Sequence, residues 1–329
     1  MKIKTSEITL FIFSFLVLFF IIWKTNSYLI NGAEEIYVKN LYNTYILSPN
    51  YEFIFVGNDE DRKFFRKFNL YFLSYLYLEV SHFLHFFKLD NNLILYFHYS
   101  LISFTLSGGI FFTLKCVEKI SNENLHVIWI YILSTTTYIL VVGGIYDEFS
   151  HFEFFFISGC LYFSIKKKLT LFILFSFFAV ANRETGILTF FIYFLLNKKD
   201  LRNFIVSISP IIFFIVSNIS FFFEYPFDLS KIIFVSSKPN LTLLDIFSME
   251  KKKFLGSLLY TLIIYCPLIY CSKNYKIFTN MNYSFLFFLY LIILNFGTFV
   301  GNIYPQLVII PFISLIFFGK KIKNSTQVN

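Results

Sequence analysis

Long apolar runs separated by short polar breaks recur along this chain, at residues 8–30, 93–114, 127–146, 149–165, 169–181, 186–196, 204–223, 254–270, 283–300 and 304–318. Runs of this length with almost no charge are the pattern of helices that cross a bilayer, where each backbone polar group must be satisfied inside its own segment. The pattern predicts an all-α fold, a polytopic transmembrane bundle of about ten spans. Two polar stretches, 31–92 and 224–253, are too short and too mixed with aromatics to bury cores of their own. They are expected as outer loops of a single integral membrane domain covering 1–329. Within the first loop, 68–87 reads as an amphipathic interfacial helix with Tyr75, Glu79 and His82 along one polar stripe.

Runs 169–181 and 186–196 are short for full crossings and flank Asn182-Arg183-Glu184-Thr185. They predict a hairpin with its tip outward; a single helix burying Arg183 near mid-membrane is the alternative. The hairpin also satisfies the distribution of basic residues. With it, and with 68–87 not crossing, Lys2, Lys4, Lys115, Lys119, Lys166 to Lys168, Lys198, Lys199, Arg202, Lys273, Lys276, Lys320, Lys321 and Lys323 share one side. That side is expected to be the cytoplasm, with both termini on it, in a bacterial inner membrane. Glu34, Glu35, Asp59, Glu60, Asp61, Asp147, Glu148, Glu153, Glu184, Glu224 and Asp228 then face outward, and Lys251 to Lys253 are the exception. The first run lacks a small-residue cleavage site, so an uncleaved first helix is expected.

Composition changes this picture little. Hydrophobic residues make up 57% of the chain, and the 50 Phe accompany abundant Ile, Asn, Lys and Tyr, all with AT-rich codons, so the aromatics are membrane filler and interface belts. The net charge of +8 follows the lysine topology and not a nucleic-acid motif. Cys116, Cys160, Cys266 and Cys271 lie in or beside apolar runs without metal-ligand spacing and read as buried thiols.

Four groups could carry chemistry. Arg183 offers a planar fork suited to phosphate or carboxylate, with Glu184 placed to orient it or move a proton and Asn182 beside it. The competing reading is an internal ion pair that pins the hairpin to a neighbouring helix. Glu34 and Glu35, directly after the first run, are two adjacent carboxylates that could supply a general base or bind a divalent cation; the alternative is a solvated turn. Asp147 and His151, four apart, would share a helix face as an acid/base pair, or else cap the helix. Asn302 and Gln306 are amides suited to sugar hydroxyls, or the polar residues of a turn. His98, inside an apolar run, reads as a satisfied core histidine, and His82 with His85 lacks a third ligand. No protein metal cage is expected and no cofactor is identified; a divalent cation, Mg or Mn, is compatible with the paired acids.

This layout resembles the C-type glycosyltransferase superfold: a first span, a long outer loop with an interfacial helix, many further spans, and acids on the outer face. Glu34-Glu35-Ile36-Tyr37 is similar to the acidic motif followed by Tyr that such enzymes carry after their first span, with Glu34 in place of the usual Asp. The 182–185 run resembles an Arg-Glu-Thr signature of bacterial membrane proteins of this kind, and Asn302 to Pro305 stands where many relatives have Glu and then Arg. Exopolysaccharide polymerases resemble the chain in layout too, with Gly57-Asn58-Asp59 near their Gly and Asp. The resemblance implies transfer of a sugar from a polyprenyl-phosphate donor to a glycan or lipid acceptor on the outer face. Membrane lipids would be the surroundings and nucleic acid no partner. Glu34, Glu35 and Asp147 would be catalytic; Arg183, Glu184, Asn182, His151, Asn302 and Gln306 would bind substrate. A lipid-linked glycan transporter, not an enzyme, is the reading from a different class.

Overall fold

The computed structural model describes residues 5–29, 68–90, 93–121, 124–143, 148–197, 200–219, 281–297 and 304–319. Among them there is no strand. The helices are α1 (Thr5–Leu29), α2 (Ser74–Phe86), α3 (Leu93–Ile120), α4 (Leu125–Gly143), α5 (Glu148–Ile165), α6 (Leu169–Asn182), α7 (Thr189–Leu196), α8 (Leu201–Ser217), α9 (Met281–Gly297) and α10 (Ile310–Phe318). A π-helical turn (Phe68–Leu73) leads into α2, and 3-10 turns precede α7 (Glu184–Leu188) and α10 (Tyr304–Ile309). The expected run 254–270 and loop 224–253 lie outside the described residues, as does most of loop 31–92.

Two described helices are long and apolar enough to cross a membrane, at Thr5–Lys24 and Leu93–Ile120. The other apolar helices, such as Leu125–Val141 and Leu201–Ser217, are shorter. The all-helical class therefore stands, while a bundle of about ten spans is finer than the described helices establish.

α3 and α5 form the spine. Small residues let their backbones approach: a Cβ on Gly109 would meet the ring of Phe154 at 2.5 Å, and one on Gly108 would meet that of Phe155 at 2.4 Å. One turn further on, the hydroxyls of Thr113 and Ser158 lie 3.3 Å apart, so the two helices run parallel with a fixed register. α1 packs along α3 and α4 through Leu10, Leu18 and Ile22, leaving Ile8, Ile12, Leu16 and Phe20 exposed on its other face. Polar contacts hold it in place: Lys115 Nζ lies 2.5 Å from the buried Glu7 Oε1 and 2.9 Å from Glu118, and Trp129 Nε1 donates to Ser14 Oγ at 2.9 Å. Removing one member of a buried pair is costly because the other loses its counter-charge. Lys115→Met is expected to lower stability by up to about 3 kcal/mol. Lys115→Arg should keep most of that stability, as thermal unfolding in detergent would show.

α6 and α7 make the expected hairpin. α6 stops at Asn182 because Arg183 is extended (φ −159°, ψ 149°), and the 3-10 turn then reverses the chain. Gly186 sits directly against the α6 backbone at Ala179 and Val180. Phe172, near the start of α6, meets Tyr193, near the end of α7, with ring centroids 4.5 Å apart, so the two arms are antiparallel. A single continuous helix is excluded. The foot of the hairpin is tied to the end of α5 by Asn197 Nδ2, which donates to Ser164 Oγ at 2.9 Å.

The two ends of this assembly differ in charge. Glu7, Lys115, Lys119 and Lys166 to Lys168 gather where α1 begins and α3 and α5 finish, and Lys119 Nζ donates to the Ile165 carbonyl at 3.0 Å. The hairpin tip and the start of α5 lie at the opposite end.

α2 is amphipathic, as expected. Tyr77, Leu78, Ser81 and Leu84 are buried, whereas Tyr75, Glu79 and His82 are exposed. Its outer face is more apolar than the sequence stripe implies, since Phe83, Phe86 and Phe87 are exposed as well.

Candidate functional site

The hairpin tip carries the charged centre. Arg183, at the break between α6 and the 3-10 turn, is 4% exposed, and its Nη1 donates to Glu153 Oε2 at 3.2 Å. Glu153 is fully buried. Its other oxygen accepts from the Thr185 hydroxyl, so one carboxylate on α5 binds two residues of the tip. The arrangement follows from the chain path. α5 starts at the end where the hairpin turns, and only the extended residue between two helical segments can turn its side chain back onto α5. Tyr290 on α9 is buried within electrostatic reach of Glu153, its ring stacked on Phe312 with centroids 5.0 Å apart.

Glu153 was expected among the acids of the outer side; it is fully buried, near the start of α5 at the end of the helices opposite the lysines. Glu184 was expected to orient Arg183; the structure shows that Glu153, thirty residues earlier, is a partner of the guanidinium. The tip of a hairpin closes onto the helix beside it, and this brings Arg183 against α5. The backbone of Glu184 opens that 3-10 turn. Asn182 is buried as the last residue of α6. Gln306 lies in the 3-10 turn before α10. Glu34, Glu35, Asp147 and Asn302 lie outside the described residues, so the expected pairing of Asp147 with His151 does too.

A second polar group occupies another face of α5. His151 is 1% exposed and lies against the Phe152 ring with centroids 4.4 Å apart. It is two residues from Glu153, so the two side chains leave the helix in nearly opposite directions. His151 lies within electrostatic reach of His98 on α3. His98 is 2% exposed, and its Nδ1 is 2.5 Å from the hydroxyl of Tyr77 on α2. The expectation of a satisfied core histidine is half right. Nδ1 has its partner, while His98 Nε2 and His151 Nδ1 are buried with none among the described residues.

Sequence reasoning missed Glu153 and Tyr77 as members of polar groups. The available signal for Glu153 was that it is the one acid within the apolar run 149–165. Cys116 and Cys160 are buried free thiols, as expected; Cys266 and Cys271 lie outside the described residues. Among the described residues, no group of three or more His, Cys, Asp or Glu is placed to hold a metal ion. No protein-family model, curated protein or solved structure matches the chain.

Proposed function

We propose that the chain is a bacterial inner-membrane glycosyltransferase, with cytoplasmic termini, that moves a sugar from a polyprenyl-phosphate donor to a glycan or lipid acceptor on the outer face. The observation that carries this reading is the buried Arg183–Glu153–Thr185 centre at the hairpin tip, at the end of the helices opposite the lysines. A buried charge pair is a poor way to gain stability alone, because replacing it with apolar residues is often neutral or better. Within lipid such charges mark functional sites. A guanidinium has five N–H donors in a rigid fork, so holding Glu153 is compatible with holding a phosphate oxygen as well.

In this reading Glu35, with Glu34 beside it, takes the proton of the acceptor hydroxyl. The acceptor oxygen then bonds to the anomeric carbon from the face opposite the phosphate. The carbon–oxygen bond to phosphate breaks, and polyprenyl phosphate leaves with the electron pair, its growing charge met by Arg183. The product has inverted configuration. Asp147 would position the sugar, and the exposed Phe83, Phe86 and Phe87 of α2 suit a helix lying in the interface.

The test is mass spectrometry of lipid-linked sugars and surface glycan in cells with the intact gene, a deletion, or a deletion rescued by Glu35→Gln or Arg183→Ala. The deletion is expected to accumulate one lipid-linked sugar and lose one residue from the glycan, with neither variant rescuing. Full rescue by Glu35→Gln removes it as the base, and full rescue by Arg183→Ala removes the phosphate clamp. A polymerase would instead shorten the glycan without changing its repeat unit. The broken α6–α7 hairpin also favours a carrier of lipid-linked glycan, since discontinuous helices line transport sites. For a carrier, the lipid-linked sugar would accumulate on the cytoplasmic face only.

A further inference from the structure

Three consecutive lysines join α5 to α6. The Lys167 amide donates to the Ser164 carbonyl at 3.0 Å and the Lys168 amide to the Phe163 carbonyl at 2.9 Å, which closes α5 in a tight turn. This pair of bonds holds Lys167 in the left-handed region, at φ 54°, where glycine is the usual residue. The side chains of Lys166, Lys167 and Lys168 are all exposed. A fourth lysine joins them from α3, because Lys119 Nζ donates at 3.0 Å to the carbonyl of Ile165, the residue before Lys166. None of these four has a carboxylate partner among the described residues, whereas Glu7 and Glu118 both lie on Lys115. Like charges gathered in this way raise a positive potential over one end of the helices, and an anion placed there lowers it.

The depth of the cluster selects the anion. Lys119 stands in the last turn of α3, and the segment Leu93–Ile120 is long and apolar enough to cross a membrane. Lysines at the end of such a helix stand level with lipid headgroups. An ammonium group is a donor only and suits a phosphate oxygen. A zwitterionic lipid carries a cation of its own beside its phosphate, which the lysines repel, so an anionic lipid fits the cluster better. We propose that Lys119, Lys166, Lys167 and Lys168 form a binding site for the headgroup of an anionic phospholipid. The site lies at the opposite end of the helices from the Arg183 centre and does not depend on the transferase reading.

The chain supplies a matched control. Lys88, exposed just after α2, has φ 51° and the same pair of bonds, from its own amide to the His85 carbonyl and from the Leu89 amide to the Leu84 carbonyl. It precedes the start of α3, at the other end of that helix from Lys119. Lys167→Gly and Lys88→Gly therefore remove the same charge from the same backbone geometry at two places. Glycine accepts a positive φ freely, so neither variant should melt below the unaltered protein. The full chain in a neutral detergent would be titrated with dilauroyl phosphatidylglycerol, dilauroyl phosphatidylcholine and inorganic phosphate, and bound lipid counted by native mass spectrometry. Phosphatidylglycerol is expected to bind saturably and several-fold more tightly than phosphatidylcholine, and to weaken as salt is added. Lys167→Gly should weaken it several-fold, and the triple variant Lys166→Gln, Lys167→Gly, Lys168→Gln should abolish the preference, while Lys88→Gly leaves it unchanged. Equal binding of the two lipids overturns the proposal, because contact with the acyl chains would then explain it. An equal loss in Lys88→Gly overturns it as well, since net charge alone would be responsible. Displacement of phosphatidylglycerol by inorganic phosphate at similar concentration identifies a site for a soluble anion and overturns the assignment to lipid. The readout is direct binding, separate from the glycan profile that tests the transferase.

Discussion

Glu153→Ala is expected to be among the most damaging single substitutions in this protein, with a loss of about 3–5 kcal/mol. The alanine removes the carboxylate that accepts from both Arg183 and Thr185, so a guanidinium only 4% exposed loses that counter-charge. Arg183→Met alone should cost a similar amount, because the fully buried carboxylate then faces a thioether. The informative protein is the double variant Glu153→Leu with Arg183→Met. Apolar replacement of a whole buried pair is often neutral or stabilising, so the double variant should regain most of the stability that either single change loses. If the proposed transferase reading holds, it should regain none of that activity. Unfolding in detergent measures the first effect and the cellular glycan profile the second. A double variant that recovers both stability and glycan would reduce the Arg183 centre to a pin between the hairpin and α5.

This distinction was only partly legible in the sequence. The break at Asn182-Arg183-Glu184-Thr185 was visible because polar residues interrupt an apolar run, and the shortness of the flanking runs pointed to a hairpin. The partner of Arg183 was not visible. Periodicity reports which residues share a face of one helix, whereas Glu153 meets Arg183 because two separate helices pack side by side. The same limit applies to His98. Its apolar neighbours in sequence gave a core position correctly, but its bond to Tyr77 depends on how α2 folds back beside α3. Charge asymmetry was easier to read, since Lys119 and Lys166 to Lys168 had to be near one another for the helices to alternate in direction. Length was the weakest guide. The apolar runs merge turns, loops and helix into single stretches, so several become helices too short to be assigned as spans from the described residues.

Gly186→Ala is expected to open the hairpin on which the charged centre depends. An ideal Cβ at this position would lie 2.3 Å from the carbonyl carbon and oxygen of Ala179 and 2.4 Å from the amide nitrogen of Val180. All three atoms belong to the backbone of α6, so relief requires separating the 3-10 turn from the helix. Gly109→Ala makes the useful comparison. Its Cβ would meet the Phe154 ring at a similar 2.5 Å, but a side chain can yield by rotating or by a small helix shift. Overpacking of that kind costs about 1–3 kcal/mol. Gly186→Ala should exceed it, because the turn also carries the bonds from Gly186 N to the Arg183 carbonyl (2.9 Å) and from the Thr189 hydroxyl to the Gly186 carbonyl (2.8 Å). Moving the turn displaces Arg183 and Thr185 together, so the loss of packing and the loss of the Glu153 contacts add. Melting temperatures of the two variants in the same detergent should rank Gly186→Ala lower, with its hairpin cut first by added protease. Equal melting would mean that α6 and the turn separate at little cost, and that the Arg183 centre does not depend on their close packing.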